Sequence, residues 1–164
     1  MAVSVDERNL KGAALHRYFM RMALQEAEKA FEKEEVPVGA VLVKGREVIS
    51  RGHNLVEAYS DITAHAEMLV LRSASRRLGT KYLSDCTLYV TLEPCPMCSG
   101  ALVWAKLARV VFAAIDARAG ACGSAFNLAD NGKLNHRLEV IQGVCEAEAA
   151  DLLRRFFRNR RPSP

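Results

Sequence analysis

The chain has 164 residues, 50% hydrophobic and 26% charged, which are the proportions of one globular domain with an ordinary core. No apolar run reaches the roughly eighteen residues a transmembrane helix needs, and residues 1–12 carry Asp6 and Glu7 with no apolar centre, so neither membrane insertion nor export is expected. Five cysteines, an odd count in largely apolar or small-residue settings, favour a reducing cytoplasm with no disulfide framework. The net charge of +4 is local: residues 1–150 hold 18 Lys plus Arg against 18 Asp plus Glu, whereas residues 151–164 set five arginines against one aspartate.

Taken in order, residues 1–12 read as a disordered segment, 13–161 as a single domain and 162–164 as a tail. Leu15, Phe19, Met22, Ala23, Ala27, Ala30 and Phe31 recur at spacings of three and four, which predicts a packing helix over 13–34. Strands over 38–44 and 47–53 form a hairpin, because Gly45-Arg46 supplies the positive φ at the first position of a tight type II′ turn. Asn54 follows; an Asn there either starts a turn or offers its two-sided amide to a purine edge. A loop over 55–62 precedes a helix over 64–78, and its run Met68-Leu69-Val70-Leu71 suggests burial on most of its surface.

A strand over 87–91, a helix over 95–106 and a nearly all-apolar strand over 109–115 read as a βαβ unit with parallel strands covered on both faces. Residues 116–137, with Gly120, Gly123, Asn127, Gly132 and Asn135, form a long connection of the kind that borders a site. A last strand over 138–141 leads to a helix over 146–159 carrying Leu152, Leu153, Phe156 and Phe157. Its five arginines are either a solvated end or, with the phenylalanines, an RNA-binding surface.

Two stretches concentrate the chemistry, Thr63-Ala-His-Ala-Glu67 and Glu93-Pro-Cys-Pro-Met-Cys98. Cys95 and Cys98 are three apart, so at the start of a helix their sulfurs share one face, and the helix N-terminus favours the thiolates that bind metal. His65 would be the third ligand. His65 and Glu67, two apart, serve one site only where a helix begins, with Glu67 beside the metal rather than on it. Three protein ligands leave the fourth tetrahedral position for water, the pattern of a catalytic Zn2+.

His65-Ala66-Glu67 followed by Pro94-Cys95-Pro96-Met97-Cys98 resembles the signature of the zinc deaminases. Val36-Pro-Val-Gly-Ala-Val41, Gly120-Ala-Cys-Gly-Ser124, Leu134-Asn-His-Arg137 and Phe156-Phe-Arg158 look like motifs of one branch, the bacterial tRNA-specific adenosine deaminases. The resemblance runs from about Leu15 to Arg161. It implies a three-layer α/β/α cytidine-deaminase-like fold with a five-stranded mixed sheet, a homodimer, and conversion of adenosine to inosine at the wobble position of a tRNA anticodon. It implies a single zinc per chain on His65, Cys95 and Cys98, with Glu67 as the proton shuttle. It further implies that Asn54 and the Ala66 backbone read the base, that Glu93 and Pro94 line its pocket, and that Asp116 meets a neighbouring ribose. Asn135, Phe157 and Arg158 are carried over as further substrate contacts on an anticodon stem-loop; DNA is not expected as a substrate.

Trp104 and Lys106 stand where that branch commonly carries His and Arg, and Ile115 replaces a frequent Arg before Asp116. A Trp at the first of these positions also occurs in guanine deaminases. A guanine or other free-purine deaminase is therefore one alternative, set against the basic last helix, which a neutral small substrate would not require. A non-catalytic RNA-binding module stapled by zinc is another; it would need a fourth protein ligand and has no use for Glu67.

Overall fold

A computed structural model describes residues 9–160. It contains α1 (Gly12–Glu32), β1 (Gly39–Lys44), β2 (Glu47–His53), α2 (Val56–Tyr59), α3 (Ala66–Leu78), β3 (Cys86–Leu92), α4 (Pro96–Trp104), β4 (Arg109–Ala114), β5 (Glu139–Gln142) and α5 (Glu146–Arg158). The five strands form one mixed sheet in the order β2-β1-β3-β4-β5. The β1–β2 and β1–β3 pairs are antiparallel, and β3–β4 and β4–β5 are parallel.

Period-two alternation sorts the strand residues between two cores. Ala40 and Leu42 of β1, Leu88 and Val90 of β3, and Val110 and Phe112 of β4 face α3 and α4. Val41, Val43, Tyr89, Val111 and Ala113 face α1 and α5. The expected three-layer α/β/α fold with a five-stranded mixed sheet is what forms. α1 lies directly on β1, where a Cβ at Gly39 would fall 2.0 Å from the Ala23 carbonyl oxygen, so buried Ala23, Ala27 and Ala30 give the helix its close seat.

The hairpin turns at Gly45, φ 63°, between paired Lys44 and Glu47, as the sequence predicts. Three expectations change. α3 is buried along one face, Ala66, Glu67, Val70, Leu71 and Ala74, rather than on most of its surface: Met68 and Leu69 are half-buried, because only one side of the helix meets the sheet. Residues 55–62 are not a plain loop but contain the single turn of α2. Part of the expected N-terminal disorder lies in residues 1–8, outside the described residues, while α1 begins at Gly12 and the Leu10 carbonyl accepts from Arg46 at 2.6 Å. Among the described residues no helix is long and apolar enough to cross a membrane.

α1 stops at a Schellman-type turn. The Glu34 N–H donates to Phe31 O at 3.1 Å and the Glu35 N–H to Ala30 O at 2.9 Å, with Glu34 left-handed at φ 60°. A residue other than glycine there costs roughly 1–2 kcal/mol. The turn delivers Glu34 and Glu35 to the edge of the site.

Candidate active site

Two helix N-termini converge beyond the C-terminal ends of β2 and β3. His65 is the N-cap of α3 and Cys95 the N-cap of α4, both extended, with Pro96 at the first helical position, where its missing N–H has no intrahelical acceptor. His65 Nδ1 lies 3.7 Å from Cys95 Sγ and 3.5 Å from Cys98 Sγ, and the three candidate ligand atoms fall within 4.8 Å of one another. A tetrahedral zinc with Zn–S about 2.3 Å and Zn–N about 2.0–2.1 Å separates sulfur from nitrogen by about 3.5–3.6 Å, so these residues fit that metal.

The thiols' protonation makes the same case. Hydrogen bonding from Cys98, then from His65, outweighs burial and pulls Cys95 down to about 4. Cys98 is raised by its hydrogen bond to Cys95 and by burial, and His65 is raised chiefly by Cys95. Two neighbouring sulfurs, buried Cys98 and half-buried Cys95, compete for one negative charge, and a cation between them relieves that competition.

Glu67 follows two residues after His65, in the first turn of α3, and is only 4% exposed. Burial pushes its carboxyl up to about 7, and it meets the Cys98 thiol beside the ligand cluster rather than joining it. A carboxyl poised near neutrality can take a proton and return it, which is what a general base and acid requires.

The site opens into a cavity of about 310 Å³ whose lining includes Asn54, His65, Glu67, Glu93, Cys95 and Asp116. Asn54 is buried, and its Oδ1 accepts the Ala66 N–H at 2.7 Å. That bond takes up the Ala66 N–H and leaves the Asn54 amide nitrogen as the donor. Apolar cover comes from Val36, Val38 and Leu92.

Glu93, carried over as a pocket residue, is 2% exposed and spends its carboxylate on the loop after β4. It accepts from the backbone N–H groups of Asp116 at 3.0 Å, Cys122 at 3.2 Å and Ser124 at 3.1 Å, and from the Ser124 hydroxyl at 2.5 Å. Gly120 is required there, since a Cβ would lie 2.3 Å from Glu93 Oε2 and 2.5 Å from the Asp116 carbonyl. Pro94 lies outside the cavity lining; its carbonyl accepts the Ala121 N–H at 2.8 Å and the Ser99 hydroxyl at 3.2 Å. Asp116 Oδ1 accepts from Arg118 and Ala119 N–H groups at 3.0 and 3.1 Å, so the first part of the long connection is a fixed wall.

Three further expected substrate contacts, like Pro94 and Ala66, lie outside the cavity lining. Asn135 is exposed and accepts Lys106 Nζ at 2.7 Å. Phe157 is 49% exposed on α5, edge-on to buried Phe156, and Arg158 is exposed beside it. Spacing alone did not single out Glu34, Glu35, Val56, Glu57 or Phe156 as cavity residues. Arg160, one of the five arginines of the basic end, also lines it: the guanidinium stacks 4.2 Å from the Phe156 ring centroid and donates to the Glu34 carbonyl.

With this geometry established, the sequence profile of the cytidine and deoxycytidylate deaminase zinc-binding region matches residues 13–114. The chain belongs to that deaminase family. Among its relatives, the tRNA-specific adenosine deaminase of Aquifex aeolicus is 54% identical over 144 residues, which is 88% of this chain and 95% of the relative. A solved structure of A-to-I editing by tRNA:A34 deaminases, at the wobble position of transfer RNA, superposes with a TM-score of 0.80 at 42% identity, covering 83% of this chain and 99% of that one. The guanine deaminase of Nitrosomonas europaea superposes less closely, with a TM-score of 0.73 at 27% identity, covering 85% of this chain and 83% of that one. The matched region contains the His65, Cys95 and Cys98 cluster, which could hold a metal ion, and the Glu67 carboxyl beside it.

Proposed function

We propose that the chain deaminates adenosine to inosine at the wobble position of a tRNA anticodon, with a single zinc per chain held by His65, Cys95 and Cys98. The observation that carries this is the buried Glu67 beside a three-ligand cluster, at a cavity of about 310 Å³, large enough to admit a purine base. Zinc bound there supplies a water of lowered pKa. Glu67 would take one proton from water and deliver it to N1 of the purine, then take the second from the oxygen newly bonded to C6 and deliver it to the departing amine, so adenosine and water become inosine and ammonia. Asn54 orients the base with its amide nitrogen, its oxygen being held by Ala66. An anticodon loop already exposes unpaired bases, which lowers the cost of bringing one into the cavity.

A tRNA substrate places the enzyme in the cytoplasm. The same reading includes a homodimer, for which exposed Trp104 and Tyr82 beside Met68 supply an apolar face. Ile115, 47% exposed, and Trp104, 74% exposed, lie outside the cavity lining, as does Lys106. The departures that suggested a free-purine substrate therefore do not touch the base position. A closed structural zinc site is disfavoured because three ligands, and no fourth, cluster among the described residues.

The test is to incubate purified protein with an anticodon stem-loop and, separately, with free guanine, adenosine and cytidine. Inosine in the stem-loop with little turnover of the free compounds is expected. Preferential conversion of free guanine would replace this reading with the guanine deaminase one.

A further inference from the structure

Glu35 lies at the edge of the cavity, away from the His65, Cys95 and Cys98 cluster, and has no part in the zinc chemistry. It is 1% exposed, and its two carboxylate oxygens accept the Glu57 N–H at 3.1 Å and the Ala58 N–H at 2.7 Å. Those amides belong to the first turn of α2, a four-residue helix with no buried residue and no side-chain cap from Leu55. One isolated turn does not hold itself together, because nucleating a helix fixes several residues for a single hydrogen bond. Glu35 supplies the acceptors that the turn lacks. Val56 and Glu57 of that turn line the cavity that also contains Asn54, His65 and Glu67.

Glu35 is itself held from below. Its backbone N–H is bonded to Ala30 in the left-handed turn that ends α1, and the preceding Glu34 carbonyl accepts from Arg160. A two-residue turn thus ties two walls of one cavity, α2 through the Glu35 side chain and the end of α5 through the Glu34 backbone.

We propose that Glu35 is a positioning residue for the base pocket: its carboxylate fixes α2 so that Val56 and Glu57 limit which purine enters. This rests on the deaminase reading of the site. Removing the carboxylate strands two N–H groups on the inner side of α2, and the turn must open to water or move. Glu35→Gln keeps the shape and one acceptor oxygen, whereas Glu35→Ala keeps neither.

The experiment combines amide hydrogen exchange, zinc content and steady-state kinetics on two stem-loops, one with adenosine and one with 2-aminoadenosine at the target position. In Glu35→Ala the Glu57 and Ala58 amides are expected to exchange at least about tenfold faster while those of α3 stay protected. KM for the adenosine stem-loop is expected to rise about tenfold with kcat within about threefold, and the preference for adenosine over 2-aminoadenosine to narrow. Glu35→Gln should fall between Ala and wild type in each readout, with zinc content unchanged. Unaltered exchange at Glu57 and Ala58, or a fall in kcat at unchanged KM and unchanged preference, overturns the proposal. A wild type inactive on both stem-loops overturns the deaminase reading and the pocket role with it; the exchange data, which need no substrate, tell that failure from a missing cap.

Discussion

Asn54 and Ala66 are joined by a hydrogen bond of 2.7 Å that runs from the first N–H of α3 to the side-chain oxygen at the end of β2. Asn54 is in turn bound through its own N–H to the Val38 carbonyl at 3.1 Å. A residue that lines the cavity is thus also a cap that sets where α3, and with it His65 and Glu67, begins. Asn54→Ala is expected to lower kcat/KM on the stem-loop by tenfold or more and to cost about 1–3 kcal/mol of stability from the stranded N–H. Metal content should stay at the wild-type level. Kinetics together with thermal melts check this; unchanged kcat/KM would leave Asn54 a cap alone.

The ligand set is tested by elemental analysis. Zinc close to one per chain is expected in the wild type, and its loss on changing His65, Cys95 or Cys98 to Ala, because each change removes one of three donors. Near-stoichiometric zinc in Cys95→Ala would show that the ligand set is wrong.

The basic end of α5 makes a prediction about salt. Arg154 and Arg155 pair with Asp151, and Arg160 is engaged with Phe156 and Glu34, while Arg158 projects beside exposed Phe157; Arg161 lies outside the described residues. Arg158→Ala is expected to weaken stem-loop binding and to reduce the salt slope by about 0.7 if it neutralises one phosphate of a single strand. Fluorescence anisotropy across a salt series measures both. A slope equal to wild type would make the arginine a solvated surface charge.

Stability should depend on Glu26, which is 3% exposed on α1. Burial alone would raise its carboxyl, but hydrogen bonds from Lys29, His53 and Arg51 outweigh burial and hold it at about 2. A depressed folded-state value means that the stabilisation is fully present above the ordinary carboxylate range and is lost as pH falls from about 4.5 through about 2. At neutral pH it amounts to about 3 kcal/mol. Glu26→Gln should therefore melt lower than wild type at pH 7 and converge with it near pH 2. Parallel melting curves across that range would contradict this.

What the sequence could show follows the range over which its residues act. The clustering of His65, Cys95 and Cys98 was legible because Cys95 and Cys98 sit one helical turn apart and His65 and Glu67 share a helix start, all local geometry. Strand alternation and the Gly45 turn are local as well. Glu35, Glu26 and Glu93 were not legible as anchors, since each carboxylate serves groups more than twenty residues away that only the folded chain brings near. Such groups leave no periodicity. Burial of α3 was overstated for a related reason: Met68-Leu-Val-Leu71 is apolar all round, but the sheet reaches only one side. Asn135 was placed by motif likeness, and the fold gives its amide to Lys106.

The central claim is that Glu67, beside His65, Cys95 and Cys98, moves the protons in the deamination of an RNA adenosine. The most direct measurement is inosine formation in an anticodon stem-loop, followed by mass spectrometry, with wild type and Glu67→Gln at matched zinc content. Wild type should convert the wobble adenosine, and the Gln variant, which keeps the shape but cannot shuttle a proton, should be slower by at least about 10² to 10⁴. Conversion by zinc-loaded Glu67→Gln at more than roughly a tenth of the wild-type rate, a far smaller loss than removal of a general acid–base group brings, would contradict the account.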